Sequence, residues 1–419
     1  MATRSLPVQT ARPLRASHRA WTAAGIALAA CVALAGVSTL RGSKSTQAEL
    51  QPLTSEHDDH VLEKVPVLSP KERARVAALG AGAGPADLEV ALELARGHVT
   101  EARQRSDPRF LGYAQAALGS WWHDPAPPPE VRVLRAIIRQ SNHDFTAALE
   151  DLALALKERP DDAQAWLTQS SLQLVRGELE EARRSCGPLA GLSSPLVATT
   201  CVAAVDGTGG RTREAYAALS SAFSRSGRSE AAVSTWSLTL LGELAARMGE
   251  SAAAERHFRT ALVMGEPDAY LLGALADFLL DEGRPAEVVR LLEKHVESDP
   301  LLLRLALAER ALGLPAGAEH AAELARRFGA SRARGDAIHL REEARFTLHL
   351  ANDPEDALRL ALENWKLQRE PVDARLVLEA ARAAKRPEEA RAVLAWLSET
   401  RLEDVHLAPL ARELKGSAP

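Results

Sequence analysis

The chain has 419 residues and is 46% apolar but only 4% aromatic, and Ala, Leu, Arg and Glu recur throughout, a composition that favours helices and argues against a sheet protein. Four arginines and no acid fall in the first 40 residues, while the remaining 379 carry 47 basic and 56 acidic side chains, a balance of −9. That balance gives no broad electrostatic reason to hold nucleic acid, and no nucleic-acid partner is expected.

The basic segment 1–19, with Arg4, Arg12, Arg15 and Arg19, leads into 21 positions from Ala20 to Leu40 that carry no charge. As a helix this span is about 31 Å long, the thickness of a bilayer's hydrocarbon core. Two basic residues, Arg41 and Lys44, follow it against the four that precede it. The positive-inside bias therefore predicts a single-pass anchor with its N-terminus inside and the rest of the chain across the membrane. The style of the segment points to a bacterial inner membrane, with the bulk of the chain in the periplasm. Two alternatives stay open. Ala33-Leu34-Ala35 fits a signal-peptidase site, which would give a secreted or periplasmic protein, and Leu28-Ala29-Ala30-Cys31 resembles a lipobox that would place a lipid on Cys31.

Residues 41–68 are mostly polar, lack an aromatic from Arg41 to Val67 and read as a disordered tether. Within them, Glu56-His57-Asp58-Asp59-His60 offers metal-ligating side chains. A metal site also needs a preformed pocket with a supporting shell, so solvated linker is the expected reading and no metal is assigned. Helical segments begin near Ser69. Residues 69–128 read as degenerate N-terminal helical repeats, closed by the stiff run Asp124-Pro125-Ala126-Pro127-Pro128-Pro129. Residues 129–400 read as the main repeat array and 401–419 as a C-terminal helix or tail, with about eight helix pairs in an irregular superhelix in all.

A period carries that division. One small residue recurs at Ala114, Ala148, Ala182, Ala215, Ala254, Val288, Ala322, Ala357 and Ala390, with spacings of 33 to 39. Five residues earlier in the middle units stand Gly177, Gly210, Gly249, Gly283 and Gly317. Glycine permits the positive φ that ends a first helix at a tight turn, and the small residue lets a second helix cross closely over the first. Proline closes units at Pro160 and Pro300 because it suits the start of the next helix. The fullest unit runs through Leu241-Gly242, Gly249, Ala254, Phe258 and Ala261.

In these residues the sequence resembles the tetratricopeptide repeat family, over roughly Pro129 to Leu397. The resemblance implies an all-α, right-handed α-solenoid of helix-turn-helix repeats, here preceded by one transmembrane or signal helix. It also implies a concave face, lined by the first helices, that receives proteins or peptides. The sequence departs from the family pattern where most units lack the Leu-Gly pair, where Gly187-Pro188 cuts one second helix short, and where five extra residues fall between Gly210 and Gly249.

Catalytic motifs were sought and none is found: there is no His-Glu-x-x-His, Gly-x-Ser-x-Gly, Cys-x-x-Cys or phosphate loop. Adjacent acids such as Glu180-Glu181 point about 100° apart around a helix and cannot grip one atom together. No catalytic residue and no cofactor is assigned. Cys186 and Cys201 fall in neighbouring units and would pair in an oxidising compartment; the alternative is two buried small residues. Aligning units on Gly249 and Gly283 places Trp236, Glu243, Arg247, Tyr270, Asp277 and Asp281 on or near the concave face, a mixture suited to a polar peptide with an anchoring side chain. Trp236 and Tyr270 could equally pack between repeats. The expected function is a membrane-tethered periplasmic scaffold that binds proteins or peptides in a cell-envelope assembly. The rivals are a spacer or oligomerisation scaffold without a dedicated ligand and an enzyme with an unrecognised site.

Overall fold

The computed structural model describes residues 67–70, 73–75, 85–227, 229–333 and 340–417. The expected membrane span at 20–40, Cys31 and the tether up to Pro66 lie outside these residues. No helix among those described is long and apolar enough to cross a membrane.

The described chain is helical, and its helices come in antiparallel pairs. Helix α1 (Pro85–Arg105) pairs with α2 (Arg109–Ala117), and a single turn, α3 (Gly119–Trp122), follows. Next come α4 (Pro129–Ser141) with α5 (Phe145–Glu158), then α6 (Ala163–Val175) with α7 (Leu179–Cys186). After the short α8 (Leu189–Leu192), α9 (Pro195–Thr208) pairs with α10 (Thr212–Arg225) and α11 (Ala231–Arg247) with α12 (Ser251–Leu262). Then α13 (Ala269–Asp281) pairs with α14 (Pro285–Leu292), and α15 (Asp299–Ala311) with α16 (Ala316–Ala333). Helix α17 (Leu340–Phe346), extended by a π turn at Thr347–Ala351, pairs with α18 (Pro354–Leu367). Finally α19 (Pro371–Ala383) connects through the 3₁₀ turn Pro387–Ala390 to α20 (Arg391–Thr400), and α21 (Leu407–Ser417) caps the array. This makes nine pairs among the described residues, one for each of the nine recurring small residues, the first of which, Ala114, lies in α2.

Aspartate and serine start several first helices as the capping rule anticipates: Asp162, Ser194 and Asp268 each accept from a backbone N–H three residues on. The turn inside each pair then repeats one conformation. Gly177, Gly210, Gly249 and Gly283 have φ between +69° and +77°. Where glycine is missing, His143, Asn352 and Lys385 take the same left-handed position at φ +56° to +57°, five residues before Ala148, Ala357 and Ala390. In the α15–α16 pair the turn glycine is Gly313, at φ +66°. Gly317 lies inside α16, where a Cβ would stand 3.0 Å from the Arg310 backbone nitrogen, and Ala322 is exposed. The expectation that Gly317 turns the chain and Ala322 packs is therefore corrected. This unit has slipped by four residues, and its glycine serves the close helix crossing instead of the turn.

The small residues do what their spacing implies. Ala114, Ala148, Ala182, Ala254, Ala357 and Ala390 are all fully buried. At Gly242 a Cβ would stand 2.7 Å from the Phe258 ring, so the Leu-Gly pair is the space that Phe258 fills. Apolar packing runs in three successive clusters: residues 91–175, 163–328 and 344–414. Trp166 packs against the first two, and Phe328 stacks on Phe346 at 5.5 Å where the third begins. Cys186 and Cys201 are joined in a disulfide with Cα atoms 5.8 Å apart, tying the shortened α7 to the first helix of the next pair.

Buried charge fixes the N-terminal end. The carboxylate of Asp151, 3% exposed, takes two bonds from Arg135, at 2.6 and 2.8 Å, and one from Arg139 at 2.8 Å. Arg135 also donates to the carbonyls of Trp122 and Asp124, which anchors the proline-rich loop to α4. Trp121 is buried and Arg139 lies 6.0 Å over the Trp122 ring, so both tryptophans belong to packing at this end.

The array then turns back on itself. Residues 340–417, the C-terminal lobe, lie across the turns of earlier pairs. Gln368 meets His143, the Arg369 N–H donates to the Val175 carbonyl at 2.7 Å, and the Val405 N–H donates to the Arg247 carbonyl at 2.9 Å. At Gly210 a Cβ would collide with the Thr400 carbonyl oxygen at 2.7 Å.

Candidate functional site

Helices α11 and α13 carry the six residues that the repeat register singles out. Within each helix the three positions are seven and four residues apart, so they share one face. The structure separates Trp236 from the rest: it is 5% exposed and lies in the middle apolar cluster. Its role is inter-repeat packing. Glu243, Arg247, Tyr270 and Asp277 are half-buried and Asp281 is exposed. These five face the C-terminal lobe across a polar strip, here termed the channel, which direct bonds from Arg345 and Arg375 of the lobe close.

The channel is densely charged, and most of the charges are paired within the chain. The Tyr270 hydroxyl donates to Glu243. Burial pushes the Glu243 carboxyl up, Arg247 and the Tyr270 hydrogen bond pull it down, and Glu370 and Asp277 push it up again, leaving it above its ordinary value. Burial, followed by the Glu243 charge, holds the Tyr270 phenol well above its usual range, so it stays neutral and remains a donor. Two turns further along, burial would raise Asp277, but Arg304 and Arg345 outweigh it and hold the carboxyl at about 2. Arg304 reaches Asp277 at 2.5 and 3.0 Å from the neighbouring pair, and Arg345 reaches it at 2.7 Å from the lobe.

Asp281 takes both arms of the Arg375 guanidinium, at 2.7 and 2.8 Å, the planar fork that makes arginine a bidentate carboxylate ligand. Arg375 also bonds Glu379 at 2.7 Å. Burial raises Glu379, and His349 with Arg375 more than reverses it, to about 2. Arg247 donates to the Gly207 carbonyl at 3.3 Å and so bridges the ends of α9 and α11. Deeper in the lobe, Asp373 is 1% exposed and receives Arg341 at 2.6 and 2.8 Å and Asn364 at 2.7 Å.

Chemically, this arrangement can hold a polar segment by ion pairs and directed hydrogen bonds. Among the described residues no group of three or more His, Cys, Asp or Glu side chains is placed to hold a metal ion. The sequence missed the lobe's half of the channel: Arg345, Arg375 and Glu370 lie 68, 94 and 127 residues from the acids and tyrosine they face. Register within one repeat carries no information at that separation. Asn352 is the exception among the missed positions, because asparagine five residues before a buried alanine is itself a left-handed turn signal.

No protein-family model matches the chain, and no curated protein does. Among solved structures, the fold is similar to the APC/C hetero-tetramer Cut9-Hcn1, at 14% identity and a TM-score of 0.40, covering 82% of this chain and 59% of that one. It is similar to the P58(IPK) TPR domain at 17% identity and a TM-score of 0.24, covering 79% and 98%. It is similar also to Naa15/Naa10 bound to HypK-THB at 16% identity and a TM-score of 0.30, covering 82% and 54%. The chain spans less than two thirds of the first and third of these proteins. One of these neighbours is named as a TPR domain, and the described residues of the present chain form an array of helix pairs.

Proposed function

We propose that this protein is an envelope scaffold whose channel receives a segment of a partner protein. The observation that carries the reading is the row Glu243, Tyr270, Asp277 and Asp281: hydrogen-bonding groups set along one trough, partly desolvated yet reachable from solvent, where directed bonds discriminate between partners. The same reading places the array outside the cytoplasm of a bacterial cell, tethered by residues 20–40. Two features support that placement: the uncharged span with its basic flank, and a disulfide suited to an oxidising compartment.

Photocrosslinking in the producing cells tests the binding claim. A benzoylphenylalanine in place of Asp281 is expected to capture a partner protein, and one in place of exposed Val263, just past the end of α12, is not. Adducts from Val263 alone would overturn the channel reading, and adducts only between copies of this chain would return the spacer reading. Alkaline phosphatase fused after Pro419 tests the topology, since an active fusion is expected and an inactive one contradicts it.

A further inference from the structure

The C-terminal lobe is bound to the body as a ligand would be. Its own apolar cluster, residues 344–414, is distinct from the one that fills α11 to α15, on which Phe346 and Leu350 pack where the lobe joins the preceding pair. Beyond that junction its reach across the earlier pairs is largely polar, with Val405 beside the Gly249 turn as an apolar contact. The reach includes the Arg375–Asp281 fork, the Arg345–Asp277 bond, the Gln368–His143 bond, and two backbone N–H groups on the carbonyls of Val175 and Arg247. Those carbonyls end α6 and α11, where the helix macrodipole concentrates partial negative charge. Along α6, α11 and α13 the lobe thus supplies donors and cations to acceptors and anions, whereas at its junction with α15 and α16 the body's Arg310 donates to the His349 and Leu350 carbonyls and Arg332 pairs with Glu343. Both partners of the Asp281 fork remain partly exposed, at 22% and 34% of their side-chain surface, so water and salt compete for them. The seam also carries a cost: the indole N–H of Trp396, 7% exposed beside the Gly177 turn, has no acceptor within hydrogen-bond distance, and opening the seam would restore one from water.

We propose that the lobe is a releasable built-in ligand of the channel, and that an arginine-bearing segment of a partner takes the places of Arg345 and Arg375 when the lobe swings away. This rests on the scaffold reading and names both the chemistry of its partner and the device that controls access.

The probe is a fluorescent glycine-serine dodecapeptide carrying four arginines, titrated into the full chain at low ionic strength and followed by anisotropy, with solution scattering recorded on the same samples. Arg375→Gln frees Asp281 without adding an acid. It is expected to bind the probe at least about fivefold more tightly than the wild type, the range of a modest coupling between two sites. Asp281→Asn in that background is expected to remove the gain, and saturating peptide to increase the wild-type radius of gyration. Measurable binding with equal affinity in wild type and Arg375→Gln, or binding with no change of radius, overturns the latch. If Arg375→Gln expands the chain and no variant binds peptide, the latch stands and the channel reading fails. If neither occurs, both fail.

Discussion

Between α11, α12 and α13 the contact is made by Leu241, Leu244, Leu271 and Leu275, with Phe258 and Phe278 rings 5.7 Å apart, all of them buried. Between the same helices and the C-terminal lobe the contact is made by Asp277, Asp281, Arg345, Arg375 and the Val405 backbone amide. The first kind of junction removes apolar surface from water at about 25 cal/mol per Å² and is indifferent to moderate salt. The second offers ion pairs that contribute about 0–1 kcal/mol each when exposed and weaken as salt rises. One chain therefore joins its repeats permanently and closes on itself conditionally. A solenoid has this option because each repeat needs only its neighbours to fold.

The largest effect expected separates buried ion pairs from those of the seam. Asp151→Ala leaves Arg135 and Arg139 without their carboxylate inside the α4–α5 pair, and should cost about 3–5 kcal/mol in denaturant unfolding. Asp281→Ala should cost about 1 kcal/mol or less by the same measurement. Similar costs for the two would erase the distinction.

The disulfide comes next. It closes a loop of 15 residues between neighbouring pairs and is worth about 3 kcal/mol in the chain-entropy model. Replacing both Cys186 and Cys201 by serine should lower unfolding stability by that amount while leaving the seam closed. Seam opening in this variant would show that the two junctions are not independent.

Two glycines of matching conformation sharpen the contrast further. Gly210 at φ +74° faces the Thr400 carbonyl, whereas Gly283 at φ +69° has no neighbour within 4 Å of a Cβ. Alanine at Gly283 pays only the left-handed conformation, about 1–2 kcal/mol. Alanine at Gly210 pays the same and also pushes Thr400 away, so it should cost more and loosen the lobe as well. Equal costs with a closed lobe in both would contradict the packing described.

Acid should act on the channel in a narrow window. The ionised Asp277, facing Arg304 and Arg345 with Glu243 nearby, titrates at about 2 in the folded chain against an ordinary 3.8. Its contribution is therefore complete above about pH 4 and lost as the pH falls toward 2. Asp277→Asn should flatten the fall of the unfolding midpoint across that window, and an unchanged slope would assign the acid sensitivity elsewhere.

Much of this architecture is legible in the sequence, for reasons particular residues make plain. Gly177, Gly210, Gly249 and Gly283 are unambiguous because few other residues tolerate positive φ, and Ala148 or Ala254 because only a small side chain fits a close crossing. Lys385 occupies the same turn without announcing it, since lysine does not favour that conformation; the repeats around it impose it. Gly317 misled because a glycine at the expected spacing looks the same whether it turns the chain or admits a neighbouring backbone. Tyr270, Asp277 and Asp281 could be placed on one face from helical spacing alone. Their partners Arg345 and Arg375 could not, since the return of the lobe depends on how the angles of many successive helix crossings accumulate, and no local pattern encodes that accumulation.

Amide hydrogen exchange at residue resolution on the intact wild-type chain tests the conditional seam most directly. The Arg369 and Val405 amides, whose acceptors lie across the seam, are expected to exchange at least roughly tenfold faster than those of Leu244 and Val377 inside the two cores. Both should accelerate together when salt rises from about 50 to about 500 mM, while the core amides stay unchanged. Exchange at Arg369 and Val405 that is as slow as in the cores and insensitive to salt would mean that the lobe leaves the body only on global unfolding, and would contradict the account.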